Sequence, residues 1–172
     1  AIYLGGIIAG VASGWHVLRI TFAGSPAERA GTIRFWKYFH GPIGAWVSIW
    51  GAIAMLTSAP FDDWWHNAYG LDVKILSPPH AVLALGVLGI QLGAVFLVLS
   101  LQNSVVIDQE GSAAAAGRPY ALLFGIASGL LLMNFTVMTT EYTFRIYQHG
   151  TLFYQIANTV FLMPLVAMGV AG

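Results

Sequence analysis

The sequence predicts an all-α integral membrane protein, a single domain over residues 1–172 built as a bundle of about five transmembrane helices. Hydrophobic residues make up 58% of the chain and charged residues 8%, and the mean hydropathy is +0.74. Soluble domains carry charge on about a quarter of their residues. The apolar residues fall into long runs without the alternating pattern of barrel strands, so we expect helices with the lipid bilayer as their surroundings.

Five runs are long and apolar enough to cross a hydrocarbon core, which needs about 20 helical residues. They lie at residues 2–23, 41–59, 79–101, 119–140 and 151–171. The first run is not expected to be a signal peptide, because it lacks a basic leading segment and carries Trp15, His16 and Arg19. Gly89 and Gly93 form a GxxxG pattern, which indicates close helix packing within the chain or with other membrane subunits.

The charged residues bear on partners and on orientation. The formal net charge is zero and the basic residues are scattered, which gives no reason to expect a nucleic-acid partner. The chain has no cysteine, so thiolate metal sites and disulfides are excluded. By the positive-inside rule, the basic residues favour a multi-pass topology with the loop at residues 60–79 on the outer side. Those assigned to the cytoplasmic side are Arg29, Arg34, Lys37 and Arg118, against Lys74 and Arg145 on the other.

The stretch from Phe61 to His80 holds three of the seven acidic residues and two of the five histidines, and is the densest candidate site. Asp62 and His66 are four residues apart and would share one face of a helix. Ser77 is followed by two prolines, a pattern typical of an N-cap and the first helical position. That pattern predicts a rigid helix start that carries His80.

Asp62, His66 and His80 would offer one carboxylate oxygen and two imidazole nitrogens, a ligand set that suits copper, zinc or iron. Nearby polar residues could orient these ligands or add to them. The candidates are Asp63, Asp72, Asn134 and Glu141. The alternative is that Asp, His, Trp and Tyr are simply the residues expected in a loop at a membrane surface.

The pattern Asp62-Asp63-Trp64-Trp65-His66, then Asp72, then Ser77-Pro78-Pro79-His80 resembles the metal-binding segment of the C subunit of the particulate methane and ammonia monooxygenases. The resemblance covers about 20 residues of the chain and implies a metal, copper or alternatively zinc, on Asp62, His66 and His80. That family has a later Asn-x-x-x-His pair, whereas Asn134 is followed four residues later by Met138. The resemblance therefore fits a divergent relative that has kept a metal site and lost or changed its reaction.

Two other functions stay open at the level of sequence. The chain could be a non-catalytic subunit of a larger membrane complex, with its aromatic and acidic loop as a docking surface for a partner or a pigment. It could also bind haem, less favoured than copper, through His16 and a second histidine such as His40. No Ser/His/Asp triad pattern and no Gly-rich phosphate loop is found in the sequence, so whether the chain is an enzyme is left undecided.

Overall fold

A computed structural model describes residues 2–70, 77–108 and 118–143 of the chain. Its elements in chain order are α1 (Ile2–Ala23), α2 (Pro26–Ala30), β1 (Ile33–Phe35), β2 (Phe39–Gly41), α3 (Ile43–Tyr69), α4 (Pro78–Asp108) and α5 (Arg118–Thr143). The chain divides into two compact units, Ala1–Leu97 and Val98–Gly172. The single domain over residues 1–172 stays a prediction.

Within the described residues, four helices are long and apolar enough to cross a membrane, which agrees with a multi-pass membrane protein. The first helix has the predicted bounds, whereas α3 ends ten residues beyond the predicted residue 59. The fifth predicted helix, at 151–171, lies outside the described residues. A two-stranded antiparallel hairpin between α1 and α3 is the one departure from an all-α chain in the described part. The side on which each connection lies stays a prediction.

Helices α3 and α4 pack through small residues. A Cβ atom added to Gly51 would lie 2.7 Å from the carbonyl oxygen of Gly86, and one added to Gly86 would lie 2.6 Å from the backbone nitrogen of Met55. Gly89 and Gly93, the GxxxG pair, lie in the same contact, opposite Gly51 and Gly44. This confirms the prediction of close helix approach. Because these glycines have no side chains, the backbones of the two helices come into van der Waals contact.

Met55 is the centre of the first unit and is 1% exposed. Its side chain contacts Gly6 of α1, and its backbone contacts Gly86 of α4. Further toward the hairpin, a Cβ atom added to Gly10 would lie 2.8 Å from Cβ of Ala52. Helices α1, α3 and α4 are therefore held close together around Met55. This packing sets the positions of the helix ends that carry the candidate site.

The segment after α1 is joined to that helix by polar contacts. Ser25 caps α2 in a capping box with Glu28, which also pairs with Arg19 at 3.0 Å. The Ser25 backbone N–H donates to Glu28 and, with the Ser25 side chain and Arg19, holds the pKa of the Glu28 carboxyl below its ordinary value. The stabilisation that this exposed carboxylate contributes is present at neutral pH and is lost as the pH falls through the lowered pKa.

The hairpin formed by β1 and β2 turns at Trp36 and Lys37, whose φ angles are 48° and 67°. The Tyr38 N–H donates to the Phe35 carbonyl at 3.2 Å and closes the turn. Both central residues occupy the left-handed region that Gly or Asn normally fills in a two-residue hairpin turn. On the other strand, the His40 N–H donates to Thr21 Oγ1 of α1 at 2.8 Å. This contact ties the hairpin to α1.

We expect Lys37→Gly to raise the free energy of unfolding by up to about 1 kcal/mol, because lysine is sterically strained in the left-handed region and glycine is not. Thermal unfolding in detergent, followed by circular dichroism, measures the change. Arg34→Gly in the adjacent strand is the control and is expected to destabilise, since glycine weakens an extended segment. A lower stability for Lys37→Gly than for the wild type would show that the lysine side chain itself holds the turn.

Candidate metal centre

Helix α3 continues across Pro60 and ends at Tyr69, so Asp62 and His66 lie on one helical face as predicted. Proline removes one backbone hydrogen bond, a cost that membrane helices tolerate when nearby hydroxyl groups bind the carbonyls. The hydroxyl groups of Thr57 and Ser58 bind other carbonyls, those of Ile53 and Met55, at 2.9 and 2.7 Å, and not that of Leu56, which an N–H at residue 60 would have bound. The first part of the segment predicted as a loop is therefore helical.

Asp62 Oδ1 and His66 Nε2 are 3.4 Å apart. This separation is longer than the usual N–H···O hydrogen bond and amounts to an electrostatic contact. Asp62 Oδ1 is buried and has no hydrogen-bond partner among the described residues, whereas 36% of the Asp62 side chain as a whole is exposed. A buried carboxylate oxygen without a donor is unfavourable, so this atom is suited to a cation.

Gly70 ends α3 and orients His66. Its N–H donates to the His66 carbonyl at 3.0 Å, and its own carbonyl oxygen lies 3.2 Å from His66 Nδ1. The Gly70 backbone has φ 86° and ψ 178°, a conformation that is essentially restricted to glycine. With Nδ1 directed to a carbonyl, Nε2 is the nitrogen that approaches Asp62.

Gly70→Ala is expected to lower the free energy of unfolding by about 1–3 kcal/mol, because a Cβ atom strains the backbone at this φ and ψ. It should also displace the carbonyl that contacts His66 Nδ1. Gly31→Ala is the matched control, since Gly31 also ends a helix but has φ −84° and open space around its Cβ position. Denaturant unfolding of both variants tests this, and equal stability would contradict it.

His80 is held at the first turn of α4. The helix begins at Pro78, and the Ala81 N–H donates to the Ser77 carbonyl at 2.9 Å, which confirms the predicted Ser-Pro helix start. Ser77 Oγ lies 2.7 Å from His80 Nδ1. Ser77 is 2% exposed and Pro79 is fully buried, so the turn is packed in place. The contact at Nδ1 leaves Nε2 as the His80 nitrogen that can bind an ion.

A small cavity of about 50 Å³ connects Asp62 with His80. It is large enough for an ion or a water molecule. Its wall is formed by Tyr3, Ser58, Asp62, Pro79, His80 and Leu83. Tyr3 Oη and Ser58 Oγ are 3.4 Å apart although 55 residues separate them in the chain, so sequence patterns gave no signal for either residue.

The three predicted ligands come together as two pairs that share Asp62. One pair is Asp62 with His66, and the other is Asp62 with His80 across the cavity. Among the described residues, no group of three His, Cys, Asp or Glu side chains is close enough to hold an ion as placed. The full three-ligand set stays a prediction. The donor types and the orphaned carboxylate oxygen fit copper or zinc.

The residues predicted to support the ligands lie in several places. Asp63 is exposed, and its carbonyl and carboxylate accept from Asn67 Nδ2 at 2.9 and 3.5 Å. Asp72 lies outside the described residues. Asn134 is on α5 in the second unit, and Glu141 is in the last turns of α5, with its side chain outside the described part. The supporting roles predicted for these four residues stay predictions.

Aromatic side chains surround the end of α3. Trp65 and Tyr69 have ring centroids 4.4 Å apart, and Phe61 stacks on Trp64 at 6.0 Å. Trp64 and Tyr69 are exposed. Such rings are typical of the level at which a membrane helix meets the headgroups.

No family model, curated protein or solved structure matches this chain.

Proposed function

We propose that this chain is an integral membrane subunit that holds a transition metal through Asp62, His66 and His80, with copper favoured and zinc the alternative. The observation that carries the proposal is the buried Asp62 Oδ1, which lacks a hydrogen bond and lies 3.4 Å from His66 Nε2, while the Asp62 residue lines the same cavity as His80. A cation would compensate this oxygen, and imidazole nitrogens would complete its ligand set.

The orientation of both imidazoles supports the proposal. Histidines that bind metals usually engage their second ring nitrogen with a carbonyl, carboxylate or other polar group. His66 Nδ1 contacts the Gly70 carbonyl, and His80 Nδ1 contacts the Ser77 hydroxyl. In both rings, Nδ1 therefore makes the kind of contact that is usual for the second nitrogen of a metal-bound histidine. A bound copper could supply redox chemistry and a bound zinc Lewis-acid chemistry, and either ion could also serve a structural purpose.

The resemblance of residues 62–80 to the copper membrane monooxygenases suggests the kind of protein complex in which this site works. We propose that the chain belongs to a larger membrane oxidase or monooxygenase-like complex. Met138 stands where that family's second cluster has a histidine, so the proposed complex need not catalyse the family's reaction.

Element-resolved metal analysis of the purified protein tests the proposal. We expect bound copper or zinc in the wild type and loss of most of it in His66→Ala and in His80→Ala. His40→Ala and Asp63→Ala are matched controls, since His40 lies in the hairpin and contacts Thr32, and Asp63 is exposed beside Asn67. Unchanged metal content in both His66→Ala and His80→Ala would contradict the proposal.

A second candidate function is a non-catalytic membrane subunit, with the end of α3 as a docking surface for a partner or pigment. The exposed aromatic side chains there, Trp64 and Tyr69, favour it. Under this alternative, the purified protein carries no stoichiometric metal, and Trp64→Ala releases the partner chain while His80→Ala does not. A haem protein, the remaining alternative, would show a Soret band that is lost in His16→Ala.

A further inference from the structure

The small cavity beside Asp62 has a second polar wall, formed by Tyr3 of α1 and Ser58 of α3. Tyr3 and Gly6 are one turn apart on α1, and Ser58 and Met55 are one turn apart on α3, so each pair shares a helix face. Gly6 contacts Met55, and this packing brings Tyr3 opposite Ser58, with Oη and Oγ 3.4 Å apart. Helix packing therefore holds a phenol hydroxyl at the cavity.

The Tyr3 hydroxyl has a hydrogen to donate. Ser58 Oγ donates its own hydrogen to the Met55 carbonyl at 2.7 Å, so the hydrogen between Tyr3 and Ser58 belongs to Tyr3. At 3.4 Å this contact is longer than the usual O–H···O hydrogen bond of about 2.5–3.0 Å. It is the one hydrogen-bond contact of Tyr3 within the described residues. A hydrogen-bond acceptor placed in the cavity would be a better partner for this hydroxyl than Ser58 is.

The proposed metal ligands lie at one end of the cavity. Of the three, Asp62 and His80 line it and His66 does not. An ion held by all three would therefore lie at the Asp62 end, toward His66. Metal sites with three protein ligands keep a fourth position for water or a substrate. The remaining space, bounded by Tyr3 and Ser58, belongs to a cavity of about 50 Å³ and admits only a very small ligand.

We propose that this cavity is the open coordination position of the metal centre, and that Tyr3 donates a hydrogen bond to the ligand bound there. The class of ligand is a small hydrogen-bond acceptor, either water, hydroxide or an anion of two or three atoms. This inference rests on the proposed metal site, and adds to it an exchangeable ligand and a residue that recognises it. The alternative role for Tyr3, an aromatic anchor at the membrane interface, predicts no effect on ligands of the metal.

Azide binding to the copper(II)-loaded full chain in detergent tests the proposal. Azide is a linear anion of three atoms that accepts hydrogen bonds, and its charge-transfer absorption with copper(II) allows its binding to be titrated. We expect the wild type to bind azide. Tyr3→Phe should bind it about tenfold more weakly, the effect of losing one hydrogen bond to a charged group. The copper content of the same samples should be unchanged in Tyr3→Phe.

Tyr69→Phe is the matched control. Tyr69 lies near the end of α3 that carries His66, but it is exposed, packs on Trp65 and does not line the cavity. This variant should bind azide as the wild type does.

The role of Tyr3 and the metal site fail in different ways. If the wild type holds copper but binds no azide, or if Tyr3→Phe binds azide as tightly as the wild type, the inference is overturned and the metal site stands. Loss of copper from Tyr3→Phe would also overturn it, because Tyr3 would then be a metal ligand. A wild type that binds no copper, or a copper content that is the same in His66→Ala and His80→Ala, would overturn the metal site and this inference with it.

Discussion

Replacing Gly86 by alanine is expected to lower the free energy of unfolding by about 2–3 kcal/mol, the cost of overpacking a close contact. The added Cβ would lie 2.6 Å from the Met55 backbone nitrogen and 2.8 Å from the Gly51 carbonyl oxygen. Both neighbours are backbone atoms, so no side chain can rotate away, and α3 and α4 must separate. Because these helices carry Asp62 and His80, metal affinity should fall as well.

Gly5→Ala is the control for this effect, since it adds the same methyl group to a membrane helix where no atom lies within 4 Å. Alanine has the higher helix propensity, so this variant should match the wild type or exceed it by up to about 1 kcal/mol. Unfolding by titration with a denaturing detergent, followed by circular dichroism, compares the two. Equal stability of Gly86→Ala and Gly5→Ala would contradict the close packing of α3 on α4.

Asp62→Asn is expected to lower metal affinity on the order of 100-fold. The loss of a residue that only orients a metal ligand costs about 10–100-fold in affinity, and the loss of a ligand should cost at least as much. Without metal, the same variant should be as stable as the wild type or more stable, because it removes the negative charge from a side chain whose buried oxygen has no hydrogen bond. The opposite signs of these two effects distinguish a metal ligand from a residue that only stabilises the fold.

Asp63→Asn is the matched control, since Asp63 is the adjacent carboxylate but is exposed and contacts Asn67. Competition with a chelator of known affinity measures metal binding, and thermal unfolding of metal-free protein measures stability. Lower stability of metal-free Asp62→Asn with unchanged metal affinity would instead assign Asp62 to an ion pair with His66.

The sequence predicted those parts of the fold that depend on local chemistry. The bounds of α1 followed from its apolar run, and the start of α4 followed from Ser77 and Pro78, because a cap and a fixed φ act within one turn. The shared face of Asp62 and His66 followed from the helical repeat.

The remaining features depend on contacts that the local sequence does not encode. Hydropathy falls after Pro60, so the sequence placed the end of the second long helix there, whereas the helix continues to Tyr69. The hairpin was not predicted because Trp36 and Lys37 are unusual at positive φ and resemble no common turn. Tyr3 joins the cavity beside Asp62 only through the packing of α1 on α3.

Metal-edge X-ray absorption of the purified protein, compared with His66→Ala and His80→Ala, is the most direct test of the metal site. The proposed ligand set predicts two imidazole nitrogens and a carboxylate oxygen at about 2.0–2.2 Å from the metal, the usual range for such ligands. Each variant that still binds metal should show one imidazole fewer. A first shell without imidazole, or one that is the same in the wild type and both variants, would contradict a metal held by Asp62, His66 and His80.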